Sequence, residues 1–445
     1  MWAKSSEWKK ITVSKVCDSP LKWWIIYITL CYIMSHDNLI LRQEYFWYVC
    51  YDPKRLTHSY LTQTEWDKVL KDTKALLVKS RYFGEVDNIL VAPIRVYYEA
   101  TRKCNLSCKH CFNSSWRESE EQLHSEEVIK VLKGFKEDWV LDIRFTGGEF
   151  TQREWWHEIL MAAKDLWLAV SLNTNWVYDS DDVIEKLVNL NLNQITVSLD
   201  WWKEAHNKIR LSRHRDVFSM TKKSIQILSS LWATVRINTV LNKENIKDVP
   251  RILEFAWEYC DEINFFAMRH VGRAISMMKD LSLDRQSFDK ISKEIAFAKK
   301  QYPKLNTLYG HQVMQSNSIM PKNDFGLKYW APDGLTRFNI IDNGDLYAGW
   351  YTPYINNNSS LFKLGNIKQE HFSLLNIWHN SEKLNWLRQY SGKLKDICNM
   401  CDFLKNGECP WGIFEMELQK AFGDIQQNPY CWKNLSFIDD SSLPH

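Results

Sequence analysis

Three cysteines, Cys104, Cys108 and Cys111, are spaced C-x-x-x-C-x-x-C just past a strand-like run, Ile94–Tyr98. Three thiols in one short loop are a metal-binding pattern. A tetrahedral zinc site asks for four ligands, usually in two separated pairs. A four-iron four-sulfur cluster held by three thiolates keeps one iron open to another ligand, and an open iron is a place for chemistry.

Further along, polar groups recur at the ends of strand-like runs. Thr146-Gly147-Gly148-Glu149 follows the second run. Its glycines allow close backbone approach, and Glu149 can accept hydrogen bonds from an ammonium group. Thr174-Asn175 ends the third run, Ser198 and Asp200 the fourth, Arg210 comes shortly after, and Asn238 lies on the fifth. Hydroxyl, amide and guanidinium groups so placed suit a ribose and a carboxylate. Each of them alone reads equally as a turn or cap residue.

The elements that must position these groups alternate. Strand-like runs lie at Ile94–Tyr98, Val140–Phe145, Leu168–Asn173, Gln194–Leu199, Thr234–Leu241 and Glu262–Ala267. Between them apolar residues fall at helical spacing: Val128, Leu132 and Phe135 after Ser125 as N-cap, then Val183, Ile184, Leu187 and Val188, then Ile225 with Leu228. This predicts an α/β fold with a parallel, barrel-like sheet, which gathers ligands at the carboxyl ends of its strands. Before it, Asn38–Tyr51 reads as strand, Asp52-Pro53 as a turn and Thr64–Val78 as helix.

Residues from about Ile89 to Arg273 resemble the radical SAM superfamily. The resemblance implies a partial (β/α)6 barrel and a [4Fe-4S] cluster on Cys104, Cys108 and Cys111. The open iron would chelate S-adenosyl-L-methionine, whose reductive cleavage gives a 5′-deoxyadenosyl radical. It further implies that Gly147, Gly148 and Glu149 hold the methionine amino group, with Phe150 in place of the usual proline. Ser198 and Arg210 would help to bind the cofactor, with Thr174, Asn175, Asp200 and Asn238 as further candidates. A short strand–turn–helix segment ahead of the barrel is similar to the amino-terminal part of peptide-modifying members; some of these grip a leader peptide by strand addition, and a plain structural cap is the other reading.

A second cysteine group, Cys398, Cys401, Cys409 and Cys431, reads by itself as a structural zinc site. The segment resembles the SPASM domain, which carries auxiliary iron–sulfur clusters. Ala331, Gly349 and Ile413 stand where ligands of the first such cluster would be, so the resemblance implies one auxiliary [4Fe-4S] cluster on the four cysteines that remain. The two-residue excess between Cys401 and Cys409 departs from the usual pattern and leaves zinc open. Cys17, Cys31, Cys50 and Cys260 read as buried thiols, and His110 as packing beside the cluster.

The expected domains are an extension at 1–33, a small α+β segment at 34–88, the barrel at 89–310 and the Cys-rich SPASM-like domain at 311–445. The apolar stretch Trp23–Met34 is 12 residues long, short of the roughly 20 that cross a membrane. It matches a signal-peptide core or a membrane-surface anchor, or an extension ahead of a natural start at Met34. A net charge of +3, 57 basic against 54 acidic residues, disfavours a nucleic-acid partner. Oxygen-sensitive clusters place the expected compartment in the cytoplasm.

Glycine and tryptophan are out of proportion. Average usage of roughly 7% would give about 31 glycines; the chain has 15, with 22 tryptophans. Trp176, Trp201 and Trp411 stand where the family has glycine, and Trp47, Trp139, Trp167 and Trp232 look similar. UGA codons read as glycine in the source and translated here as tryptophan would account for this; a lineage rich in tryptophan is the plainer account.

The expected activity is hydrogen abstraction from a peptide or protein made on the ribosome, with a one-electron donor such as flavodoxin or ferredoxin. Haem or other cofactor maturation is the enzymatic alternative. A degenerate protein that binds a partner through its cluster- or zinc-bearing tail is the non-enzymatic one.

Overall fold

The computed structural model describes residues 39–390, except 45–47, 73–75, 79–88, 179, 201, 213–215, 232, 269–270, 282, 284, 310–333 and 355–362. Cys398, Cys401, Cys409 and Cys431, with residues 1–33, lie outside the described residues.

The six strands expected from the sequence form as parallel neighbours: β5 (Arg95–Glu99), β6 (Asp142–Thr146), β7 (Ala169–Thr174), β8 (Gln194–Ser198), β9 (Val235–Leu241) and β10 (Glu262–Ala267). The sheet extends at both edges. β11 (Asn306–Tyr309) joins β10 in parallel, and β12 (Arg337–Ile340) joins β5 in parallel before the hairpin strands β13 (Asp345–Tyr347) and β14 (Lys363–Asn366). Residues assigned by sequence to the carboxy-terminal domain are therefore continuous with the barrel sheet, which stays open.

Each strand alternates between two environments. Val96, Ile143, Val170, Ile195, Val235 and Ile237 are at most 2% exposed in the main core. The other face is polar: Arg144 donates to Ser171 and Gln194, and Arg236 pairs with Glu262 at 2.9 Å. A polar interior keeps hydrogen-bonding groups in register under the strand ends, where a ligand sits.

The covering helices are α2 (Ser125–Glu137), α3 (Trp156–Asp165), α4 (Asp181–Asn189), α5 (Glu204–Ile209), α6 (Val217–Ser230) and α7 (Val249–Tyr259), of which α2, α4 and α6 carry the expected apolar faces. The N-cap of α2 is His124 rather than Ser125; its N–H donates to Glu127 Oε2 at 2.9 Å, closing the first turn.

A second sheet precedes the barrel: β1 (Ile40–Gln43), β2 (Tyr48–Asp52), β3 (Thr57–Leu61) and β4 (Leu76–Val78), in the order β3-β2-β1-β4, with α1 (Gln63–Asp72). The helix expected over Thr64–Val78 thus ends at Asp72, and Leu76–Val78 pairs in parallel with Ile40–Arg42. A Leu-Leu-Val run suits a pleated sheet edge at least as well as a helix. Arg42 ties this sheet to the barrel: it is fully buried, pairs with Glu44, and donates to the carbonyls of Ala92, Pro93 and Trp139. Among the described residues no helix is long and apolar enough to cross a membrane.

Candidate active site

The cysteine loop leaves the end of β5 and runs across the carboxyl ends of the strands. Its backbone is held mainly by neighbours, with one bond of its own from Cys111 N–H to Cys108 O at 3.3 Å. Ser107 and Lys109 donate to Leu211 O and Ile209 O beyond α5, and Arg273 N–H donates to Cys111 O. Cys104, Cys108 and Cys111 share one apolar cluster with Leu106, Val177 and Val217. Burial raises the Cys104 thiol above its usual range and pushes Cys108 up to about 11, so both are neutral until a metal takes the proton's place. Among the described residues no three His, Cys, Asp or Glu side chains converge on a single ion. A cubane takes one thiolate per iron, which suits three separate thiols facing a common space.

The glycine pair explains how the next loop approaches. Gly147 has φ +139°, and a Cβ there would lie 2.3 Å from Thr101 O; one on Gly148 would lie 2.2 Å from Lys103 O. Without side chains the two loops dock directly: Gly148 N–H donates to Thr101 O and Glu149 N–H to Lys103 O. Glu149 itself is enclosed, at 0% exposure. It accepts from Thr151 Oγ1, Thr174 Oγ1, the Asn175 N–H and Tyr178 Oη at 2.8 to 3.3 Å. Burial raises its pKa against those bonds. Its carboxylate fastens this loop to the end of β7, and the backbone of Gly147 and Gly148 lies along the cysteine loop.

Thr174 and Asn175 carry the contact onward. Asn175 Nδ2 donates to Asn105 Oδ1 at 2.8 Å and stands 3.8 Å from Cys104 Sγ. Ser198, the last residue of β8, and Asn238, midway along β9, are register partners, both partly exposed.

Asp200 and Arg210 meet beside the cysteine loop. Asp200 Oδ2 accepts from Arg210 Nε and Nη2 at 2.7 and 2.6 Å and lies 3.2 Å from His110 Nε2, while Oδ1 accepts from Val240 N–H. Asp200 is fully buried. Arg210 Nη1, the remaining arm, is 3.8 Å from Cys108 Sγ. Burial would raise Asp200, but Arg210 and His110 outweigh it and hold the carboxyl well below the usual range. The stability this gives is present above the unfolded value near 3.8 and is lost as pH falls toward the depressed native value. Asp200→Ala leaves a buried guanidinium unpaired and is expected to cost about 3–5 kcal/mol in chemical denaturation. Asp200→Asn should lose less and should flatten the acid limb of the stability curve.

Three residues escaped the sequence reading. Asn113, 1% exposed, is a hub: its amide donates to Glu99 Oε2 and Gly147 O at 3.0 Å, and its oxygen accepts from Cys111 Sγ and Ser115 Oγ. Glu99, at the end of β5, also accepts from Tyr354 Oη at 2.6 Å and Asn339 Nδ2 at 3.4 Å, linking the segment after the barrel to the cysteine loop. Arg273 clamps that loop through Cys108 O and Ser115 O, and Gly272 (φ +57°) passes so close that a Cβ would meet Phe112 O at 2.1 Å. Polar residues at a strand end and Gly-Arg after the last strand were the available signals.

Burial raises Glu99 to about 7 despite its hydrogen bonds. A folded value above the unfolded 4.5 means the native state binds the proton more tightly, so stability falls as pH rises from about 4.5 to about 7. Glu99→Gln should remove that slope, read as Tm at a series of pH values; an unchanged slope would place the titration elsewhere.

Comparison with known proteins agrees with this arrangement. The sequence model of the radical SAM superfamily matches residues 98–256. The sporulation killing factor maturation protein SkfB of Bacillus subtilis (strain 168) is 29% identical over 206 residues, 45% of this chain and 48% of that protein. This chain therefore aligns with about half of SkfB. Fe-coproporphyrin III synthase of Methanosarcina barkeri (strain Fusaro / DSM 804) is 29% identical over 76% of this chain and 87% of its own length. Among solved structures, Streptococcus suis SuiB bound to S-adenosylmethionine superposes with a TM-score of 0.68 at 16% identity, covering 88% of this chain and 98% of SuiB.

Proposed function

We propose, from the premise that this chain belongs to the radical SAM superfamily, that it is an enzyme modifying a ribosomally made peptide or protein. The carrying observation is the docking of the Cys104–Cys111 loop on the Gly147-Gly148 backbone at the strand ends. When bound, a [4Fe-4S] cluster with S-adenosyl-L-methionine supplies a 5′-deoxyadenosyl radical that abstracts hydrogen from an unactivated C–H bond.

The chain's own part is positioning and exclusion of water. Cys104, Cys108 and Cys111 would hold the cluster. Asn175, Arg210 and Asn113 stand against its ligands, and Ser198 and Asn238 offer hydrogen bonds to the cofactor from β8 and β9. Cys398, Cys401, Cys409 and Cys431 are assigned to one auxiliary [4Fe-4S] cluster, and the electron donor to a cytoplasmic flavodoxin or ferredoxin. β3 is an outer strand of the amino-terminal sheet among the described residues, which suits an extended leader peptide adding as a further strand. A SuiB structure superposable on this chain carries its precursor peptide SuiA, which supports that reading.

The relationship to Fe-coproporphyrin III synthase and to the AdoMet-dependent heme synthase of the same organism, 24% identical over 76% of this chain, supports a second reading, oxidative decarboxylation of a tetrapyrrole side chain. The test offers the reconstituted enzyme peptides encoded beside its gene, and iron coproporphyrin separately. Turnover-dependent loss of hydrogen from a peptide, with deoxyadenosine formed, is expected; loss of carbon dioxide from the porphyrin with inert peptides would select the second reading.

A further inference from the structure

A left-handed φ suits glycine, because a Cβ there crowds the following carbonyl; Asn and Asp visit the region by bonding to their own backbone. Ten described non-glycine residues have positive φ, and four of them are tryptophan: Trp139 (63°), Trp155 (57°), Trp167 (61°) and Trp176 (53°). An indole has no such local bond to offer.

Two of the four occupy the helix ending that most calls for glycine. After α2, Trp139 N–H donates to Lys136 O and Val140 N–H to Phe135 O; after α3, Trp167 N–H donates to Lys164 O and Leu168 N–H to Ala163 O. This pair of bonds is the Schellman motif, whose left-handed residue is usually glycine and sometimes asparagine. Asparagine does appear after α4, where Asn191 (φ 47°) donates to Val188 O. After α6, Ala233 N–H donates to Leu228 O in the same pattern; Trp232, just before it, lies outside the described residues.

Two of the side chains do little for the fold, whereas Trp176 is fully buried in the main core against Tyr178 and Trp139 lies under Lys136 Nζ. Trp167 is 79% exposed and Trp155 45%. Trp139 and Trp176 bury an indole Nε1 that meets no acceptor. Other tryptophans are used: Trp378 is fully buried, packs on Phe338, and donates Nε1 to Leu90 O at 2.6 Å. The counts, 22 tryptophans to 15 glycines, are displaced in the matching direction from average usage.

We infer that positions 139, 155, 167 and 176 are glycine in the native protein, encoded by UGA that its source decodes as glycine. Position 176 borders the site: it follows Asn175, whose amide reaches Asn105 and Cys104. The enzyme as synthesised in its source therefore turns the end of β7 on glycine.

Two measurements test this. The first reads the gene and the peptide masses of protein isolated from its source. UGA codons at these four positions, UGG at Trp378, and glycine in the four peptides are expected; UGG codons or tryptophan-bearing peptides would overturn the inference. The second uses recombinant protein. Trp167→Gly and Trp139→Gly should each raise Tm by about 2–4 °C, whereas Trp378→Gly should lower it. A fall in Tm with Trp167→Gly, whose side chain is mostly in water, would also overturn it.

Discussion

Alanine in place of Cys108 should lower deoxyadenosine release by at least about a thousandfold, roughly 4 kcal/mol of barrier. The thiol is buried, at 9% exposure, between the apolar cluster and Arg210, and alanine has no group to bridge that space to an iron. Two thiolates would not hold a cubane that needs three protein ligands to keep one iron open. The fold should survive, because Cys108 contributes little beyond a small apolar volume and the loop backbone is held by Leu211, Ile209 and Arg273. Far-UV circular dichroism unchanged from wild type, with the product absent, is the expected pair of results. Undiminished release would remove Cys108 from the catalytic machinery.

Alanine at Gly148 should have the largest structural effect. Its Cβ would stand 2.2 Å from Lys103 O and 2.7 Å from Lys103 C, both backbone atoms with nowhere to rotate. One of the two loops has to withdraw, breaking the bonds from Gly148 N–H and Glu149 N–H. About 3 kcal/mol of lost stability is expected, a fall in Tm of about 6–12 °C. The displaced loop should also weaken S-adenosyl-L-methionine binding beyond what the lost stability explains, read by calorimetry below the unfolding range. A variant as stable as wild type would show that the loops do not depend on this approach.

The same geometry shows which parts of the site were legible beforehand. The cysteine spacing, the glycine pair and six of the strands could be read directly, because thiols, absent side chains and β-branched runs each have one dominant physical meaning. The fate of a polar group could not. Glu149 is bonded to Thr174 and Asn175, and Asp200 to Arg210, partners that strand-end position alone does not reveal. Asn113 and Glu99 were invisible for the converse reason: an amide and a carboxylate near a motif acquire meaning only when Gly147, Asn339 and Tyr354 arrive from distant parts of the chain. The added strands β11 and β12 were missed because each is only four residues long, too short for alternation to register. The displaced end of α1 shows sheet pairing overriding a helical apolar pattern.

The central claim is that the Cys104–Cys111 loop carries an S-adenosylmethionine-cleaving cluster. Anaerobic reconstitution tests it most directly, counting iron and acid-labile sulfide beside deoxyadenosine formed under a strong reductant. About eight irons per chain, falling to about four when Cys104, Cys108 and Cys111 are all replaced, with deoxyadenosine made only by the intact protein, is the predicted result. An iron content unchanged by those three replacements, or no deoxyadenosine from fully loaded protein, would contradict it.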